Sequence, residues 1–123
     1  MKETVDIPKT NQTVVINTFK FNSKIVGSTF IPGGQEALKA LSIGQVLFLV
    51  REPDNEYDPN AIAIYNGNVH LGYLPKDTAA KINKDVADGL VQCEVAELTG
   101  GTAGKENRGC NILITIKREN DRV

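Results

Sequence analysis

The sequence predicts a mainly β fold: a small antiparallel barrel, closed or nearly closed, of six or seven short strands with two packed helices. Three observations carry this. Val91, Cys93 and Val95 alternate with polar residues, and Ile112, Ile114 and Ile116 recur at every second position, which is the period of two that a half-buried strand requires. Asn66-Gly67 sits between two apolar runs and is a strong short-range hairpin signal. Eleven glycines and five prolines divide 123 residues into short pieces, and many short strands with edges to hide favour closure.

Each element follows from local pattern. Residues 1–12 are mostly polar and read as a flexible N-terminal tail, leaving a single domain over 13–120. Residues 14–19 are a strand, and 24–27 begin a second, with Phe30 near its exit. Pro32-Gly33-Gly34 breaks the chain before a short helix over 35–41. Residues 46–50 are apolar on both faces, which predicts an interior strand. Residues 61–65 and 69–73 are the two arms of the Asn-Gly hairpin. Pro75 opens the second helix at its tolerated first position, Asp77 lies in its first turn, and Gly89 is a natural residue for its end. A long glycine-rich loop over 99–109 joins the last two strands.

Bulk properties narrow the function classes. Net charge is −1 and the pI is near 5.8, so nonspecific gripping of duplex DNA is not expected to be the main activity. Nucleic acid would have to be held locally, by a few placed cations and by stacking. No run approaches the ~20 apolar residues of a membrane span. The N-terminus lacks the apolar core of a signal peptide, so no membrane contact and a cytoplasmic location are expected. Cys93 and Cys110 form no CxxC and read as reduced buried thiols, with placement on paired strands left open.

The densest information lies between Arg51 and Ile62. Pro53 and Pro59 fix φ, while Asp54, Asn55, Asp58 and Asn60 can bond nearby backbone. The segment carries an aromatic, several acids and two asparagines, where an ordinary connection needs about four to six residues. Loops held by a scaffold are where binding residues concentrate.

Arg-Glu-Pro-Asp-Asn-x-Tyr-Asp-x-Asn-Ala-Ile, followed by Leu71-Gly72-Tyr73-Leu74-Pro75-Lys76, resembles the HIRAN domain. The similarity reaches upstream to Val26-Gly27-Ser28-Thr29-Phe30 and downstream to about Asp88. The resemblance implies an OB-like barrel with helices packed on it. It also implies binding of single-stranded DNA at a free 3′-hydroxyl end, without catalysis and without a cofactor.

Carried over residue by residue, the resemblance makes Tyr57 and Phe30 base-stacking aromatics, Asp58 the acceptor of the terminal hydroxyl, and Lys76 a phosphate contact. The bare sequence offers plainer roles for each. Tyr57 could pack its own loop, Phe30 could be core, Asp58 could be a turn or capping aspartate, and Lys76 a solvated lysine. Lys76 gains from its place at a helix N-terminus, where backbone amides attract anions. Asn60 is expected to hold the loop's backbone, and Arg51 to brace the loop by pairing with Glu52 or Asp58. Two positions depart from the pattern: Thr29 stands where helicase-borne members carry a basic residue, and Tyr73 where some carry a histidine.

Other chemistries read weakly. Asp54, Glu56, Asp58 and Asn60 alternate as in calcium loops, but Pro59 occupies the glycine position and Tyr65 the place of the twelfth-position glutamate. His70, Cys93 and Cys110 have no zinc spacing, and no nucleophile has a convincing base. Gly100-Gly101-x-x-Gly104-Lys105 lacks the spacing of a phosphate loop. The expected partners are therefore single-stranded DNA or DNA 3′ ends, with a helicase or repair protein as a candidate protein partner in DNA repair or replication-fork processing. The alternative is a protein-interaction or structural domain that keeps the fold without DNA binding.

Overall fold

Alternation in the last strand sets the core. Cys110, Ile112, Ile114 and Ile116 are all buried on one face of β7 (Gly109–Asp121). They meet Cys93 and Val95 of β6 (Val91–Thr99), with Cys93 opposite Ile114 and Val95 opposite Ile112. The computed structural model describes residues 2–7 and 12–121, with burial described for 15–119. On the other side of β7 lies β2 (Gln12–Lys24), antiparallel from Val14 opposite Asp121 to Lys24 opposite Asn111. The sequence breaks this strand after Phe19. The chain instead continues extended through 20–23, because Phe21 packs on the core and keeps the alternation.

Lys2–Ile7 forms β1, paired along β2 from Lys2 opposite Asn17 to Ile7 opposite Gln12. The expected tail thus contains an edge strand; its remainder at 1 and 8–11 lies outside the described residues. The full order is β1-β2-β7-β6-β3-β4-β5, with β3 Val46–Arg51, β4 Ile62–Asn66 and β5 Val69–Tyr73.

Closure happens within two residues. The Ile25 amide still donates to Cys110 of β7, while Val26 exchanges both backbone hydrogen bonds with Tyr73 of β5. The chain leaving β2 therefore seals the last strand to the first of the barrel, which removes an edge. Gly72 permits this approach: a Cβ there would lie 2.5 Å from the Val26 carbonyl oxygen and 2.7 Å from Ile25.

Two local expectations shift. β3 is interior by pairing, between β6 and β4, but only Leu47 is fully buried; Val46, Phe48 and Val50 stand on an open face at 46%, 55% and 45% exposure. The β4–β5 hairpin forms one residue later than Asn66-Gly67 suggests. Asn66 pairs with Val69, and Gly67 (φ 59°) with Asn68 makes the turn.

The helices close the barrel. Leu38 of α1 (Gly34–Lys39) and Leu41 just beyond it are buried, as are Ala79 and Ile82 of α2 (Lys76–Ala87). Pro75 caps α2 from outside rather than occupying its first turn. Its extended ψ of 145° ends the preceding segment, and its carbonyl accepts the Ala79 amide. After the C-cap Asp88, Gly89 turns left-handed at φ 73°. No helix among the described residues is long and apolar enough to cross a membrane.

Candidate functional site

The segment between β3 and β4 is built by its own short polar side chains. The Asn55 side-chain oxygen accepts from the amides of Tyr57 (2.9 Å) and Asp58 (3.0 Å). One Asp58 carboxylate oxygen accepts from the Asn60 amide at 2.9 Å. The Asp58 carbonyl accepts from Ala61, which returns the chain to β4. These are the local bonds that Asn and Asp offer in turns. Their effect is to leave the Tyr57 ring in solvent at 88% exposure.

The base of the loop is tied from outside. Glu52 accepts both from the Asn55 amide group (3.0 Å) and from the Tyr73 hydroxyl (2.9 Å). Burial and the neighbouring Glu52 carboxylate raise the Tyr73 hydroxyl above its usual pKa. Arg51 does brace this region, but through neither Glu52 nor Asp58. It donates to Asn83 of α2 at 2.9 Å, and Asn83 in turn donates to the Asn60 carbonyl at 3.0 Å. The reason is geometric: β3 runs beneath α2, so the guanidinium meets the helix first. Asn60 is thus held at its backbone; the side chains that hold loop amides are Asn55 and Asp58.

These residues enclose a shallow groove of about 340 Å³, lined by Tyr57, Asp58, Tyr73 and Lys76, with Val26 and Leu74 in its wall. Lys76 is the one cation among the lining residues, and it is the first residue of α2. The second Asp58 oxygen takes no hydrogen bond from the described residues, so it remains an acceptor.

Thr29 and Phe30 lie on a 3-10 turn, Ser28–Phe30, that lines a neighbouring depression of about 420 Å³ rather than this groove. Phe30 is no core residue: it is 87% exposed. The turn is held from a distance. The Gln35 amide group donates to the Ser28 hydroxyl (3.0 Å) and to the Arg108 carbonyl (3.0 Å), while its oxygen accepts the Arg108 amide at 2.7 Å. Tyr73 joins the two regions, since its hydroxyl supports the Tyr57 loop and its backbone pairs with Val26 just before the Phe30 turn.

Tyr57, Asp58, Tyr73 and Lys76 are therefore brought together around one groove, while Thr29 and Phe30 line a separate depression. Asn83 and Gln35 are site-building residues that the sequence does not reveal, Glu52 enters it only as a pairing candidate for Arg51, and Asn55 is among the side chains it expects to bond nearby backbone, as it does. Asn55 carried a signal, a side-chain acceptor two and three residues before the amides it binds; Gln35 and Asn83 carried none. Elsewhere, Cys93 and Cys110 are free thiols in the core, and burial pushes them up to about 12 and about 11. Among the described residues no three His, Cys, Asp or Glu side chains gather as metal ligands.

The family model for the HIRAN domain matches residues 18–117. Over 62 residues the sequence is 40% identical to the Fanconi-associated nuclease 1 homolog of Arabidopsis thaliana. That match covers 49% of this chain but only 7% of that protein's length. Two crystal structures share the fold. A protein from Lactobacillus plantarum superposes with a TM-score of 0.63 at 20% identity, over 82% of this chain and 98% of the other. The HIRAN domain of human HLTF gives 0.61 at 22% identity, over 80% and 74%.

Proposed function

The chain belongs to the HIRAN domain family, a family of nucleic-acid-binding modules, and on that premise we propose that it is a noncatalytic binder of single-stranded DNA with preference for a free 3′-hydroxyl end. Tyr57 and Phe30 stack bases, the free oxygen of Asp58 accepts the terminal hydroxyl, and Lys76 with the first amides of α2 holds a phosphate. Tyr73 positions both aromatics, and Thr29 flanks the second. The likeness to a nuclease homolog named for the Fanconi system supports a DNA-repair setting, in the cytoplasm, with a helicase or repair protein as partner.

One observation carries this reading: two aromatic rings stand almost wholly in water while their own backbone amides are hydrogen-bonded, Tyr57 to the Asn55 side chain and Phe30 to the Gly27 carbonyl. Folding gains little from exposed rings, whereas each base stacked on such a ring contributes about 1–3 kcal/mol. The acid beside them supplies the selectivity. A carboxylate accepts a hydrogen bond from a hydroxyl but repels a phosphate, so only a strand's unmodified end fits against it.

The test is a titration with short oligothymidylates whose 3′ ends are free or phosphorylated. The free end binds more tightly, and Asp58→Ala abolishes the difference. Equal affinity for both ends in the native protein overturns end recognition.

A second reading, a protein-interaction domain that keeps the fold without DNA, draws on the open apolar face of Val46, Phe48 and Val50. It predicts no oligonucleotide binding even at low salt.

A further inference from the structure

A second cleft lies directly beyond Lys76. It is the larger of the two, about 680 Å³, and is lined by Asn22, Ser23, Lys24, Pro75, Glu97 and Asn111, together with Ala96. It shares no lining residue with the Tyr57 groove, yet the two adjoin at Pro75, which lines the cleft while its chain neighbours Leu74 and Lys76 line the groove.

The cleft's lining follows from strand geometry. Lys24 ends β2 opposite Asn111 of β7. β6 is bulged at Ala96: Val95 pairs with Ile112 and Glu97 with Asn111, so Ala96 has no partner in the ladder. A bulge re-aims its neighbours, and here Glu97 accepts from the Asn111 amide group at 2.7 Å. That bond engages one oxygen of the cleft's one carboxylate and leaves its negative charge in place. Asn22 and Lys24 are exposed, and among the described residues no hydrogen bond or ion pair engages the Lys24 ammonium, the Asn22 amide, the Ser23 hydroxyl or the side-chain oxygen of Asn111. This is a donor-rich set with one cation, the chemistry that suits phosphates and base edges.

Strand polarity gives the cleft its role. With a terminal hydroxyl at Asp58 and the phosphate on its 5′ side at Lys76, the preceding nucleotide must leave the groove past Lys76. Pro75 stands there, and the cleft opens on its far side. Resting on the end-binding reading above, we infer that this cleft receives the nucleotides preceding the terminal two, with a backbone phosphate on Lys24 and base edges on Asn22 and Asn111. The bound length is then about four nucleotides, the lower limit for one OB-like fold.

The experiment compares the full chain's affinity for di- and tetrathymidylate, both with free 3′ hydroxyls. The tetramer binds about tenfold tighter, the equivalent of one further contact. Lys24→Glu, at an exposed position, removes that gain and leaves dimer binding and the preference for a free end intact. It also flattens the salt dependence of tetramer binding by about 0.7 in log-log slope, one phosphate contact's worth. Glu97→Gln removes the opposing charge and widens the gain.

A tetramer no tighter than the dimer, or a gain that Lys24→Glu leaves untouched, overturns this inference while end recognition stands. If neither oligomer binds, both readings fall. If phosphorylated and free ends bind alike while the length gain survives Lys24→Glu, both are again overturned.

Discussion

Tyr57 and Phe30 are equally exposed, at 88% and 87%, yet the chain fixes them by opposite means. The turn that carries Tyr57 is shaped locally: Asn55 and Asp58 bond amides two and three residues away, and Tyr73 and Asn83 tie only its base. The Phe30 turn depends on partners far along the chain. Gln35 reaches Arg108, 73 residues on, and Val26 reaches Tyr73. Gly34 leaves no room for a Cβ against the Ser28 carbonyl. A locally built platform forms whenever its segment does. A remotely built one exists only once the barrel has closed, so the relative position of the two rings is a property of the closed barrel.

The sharpest way to break this difference is Gly72→Ala. The added methyl meets the Val26 carbonyl oxygen at 2.5 Å and Ile25 at 2.7 Å, at the bridge that closes the sheet. Its φ lies outside the left-handed region, so the penalty is steric. A loss of about 3 kcal/mol is expected, the upper end for overpacking, read as a lowered urea midpoint. The Val26 and Tyr73 amides exchange faster, while the Tyr57 and Asp58 amides keep their protection.

A paired substitution separates the two platforms more gently. Gln35→Ala removes three hydrogen bonds and costs roughly 1–2 kcal/mol, whereas Asn55→Ala costs about 1 kcal/mol. Hydrogen exchange distinguishes them. Asn55→Ala releases only the neighbouring Tyr57 and Asp58 amides, while Gln35→Ala releases the Arg108 amide at the base of the glycine-rich loop.

The smallest effect is on pH dependence. Burial first, and then the Glu52 bond, raise the Tyr73 hydroxyl above its usual value near 10. A raised folded-state value means that the contribution is complete below about pH 10 and fades as pH rises through the folded value. Alkaline titration therefore loosens the Tyr57 side through Glu52 before the Phe30 side, whose tie to Tyr73 is backbone. Tyr73→Phe removes that pH dependence; an unchanged alkaline profile in the variant refutes the link.

The sequence by itself determined the mainly β class, the two helices, the hairpin and the chemical content of the 51–62 loop. Those signals are local: alternation, turn formers, a proline before a helix. It placed Tyr57, Asp58, Tyr73 and Lys76 on segments that the structure gathers around one groove, because the loop and the strand-to-helix junction each carry their residues within a few positions. Only the tertiary structure decided that Phe30 stands in solvent rather than in the core, since an isolated phenylalanine after a strand reads the same either way. It also decided that β2 runs unbroken through its polar stretch, that β3 leaves one apolar face open, and that Arg51 meets Asn83. Each of these depends on which surfaces the closing barrel brings into contact, and residues far apart in the chain carry no short-range signal of that.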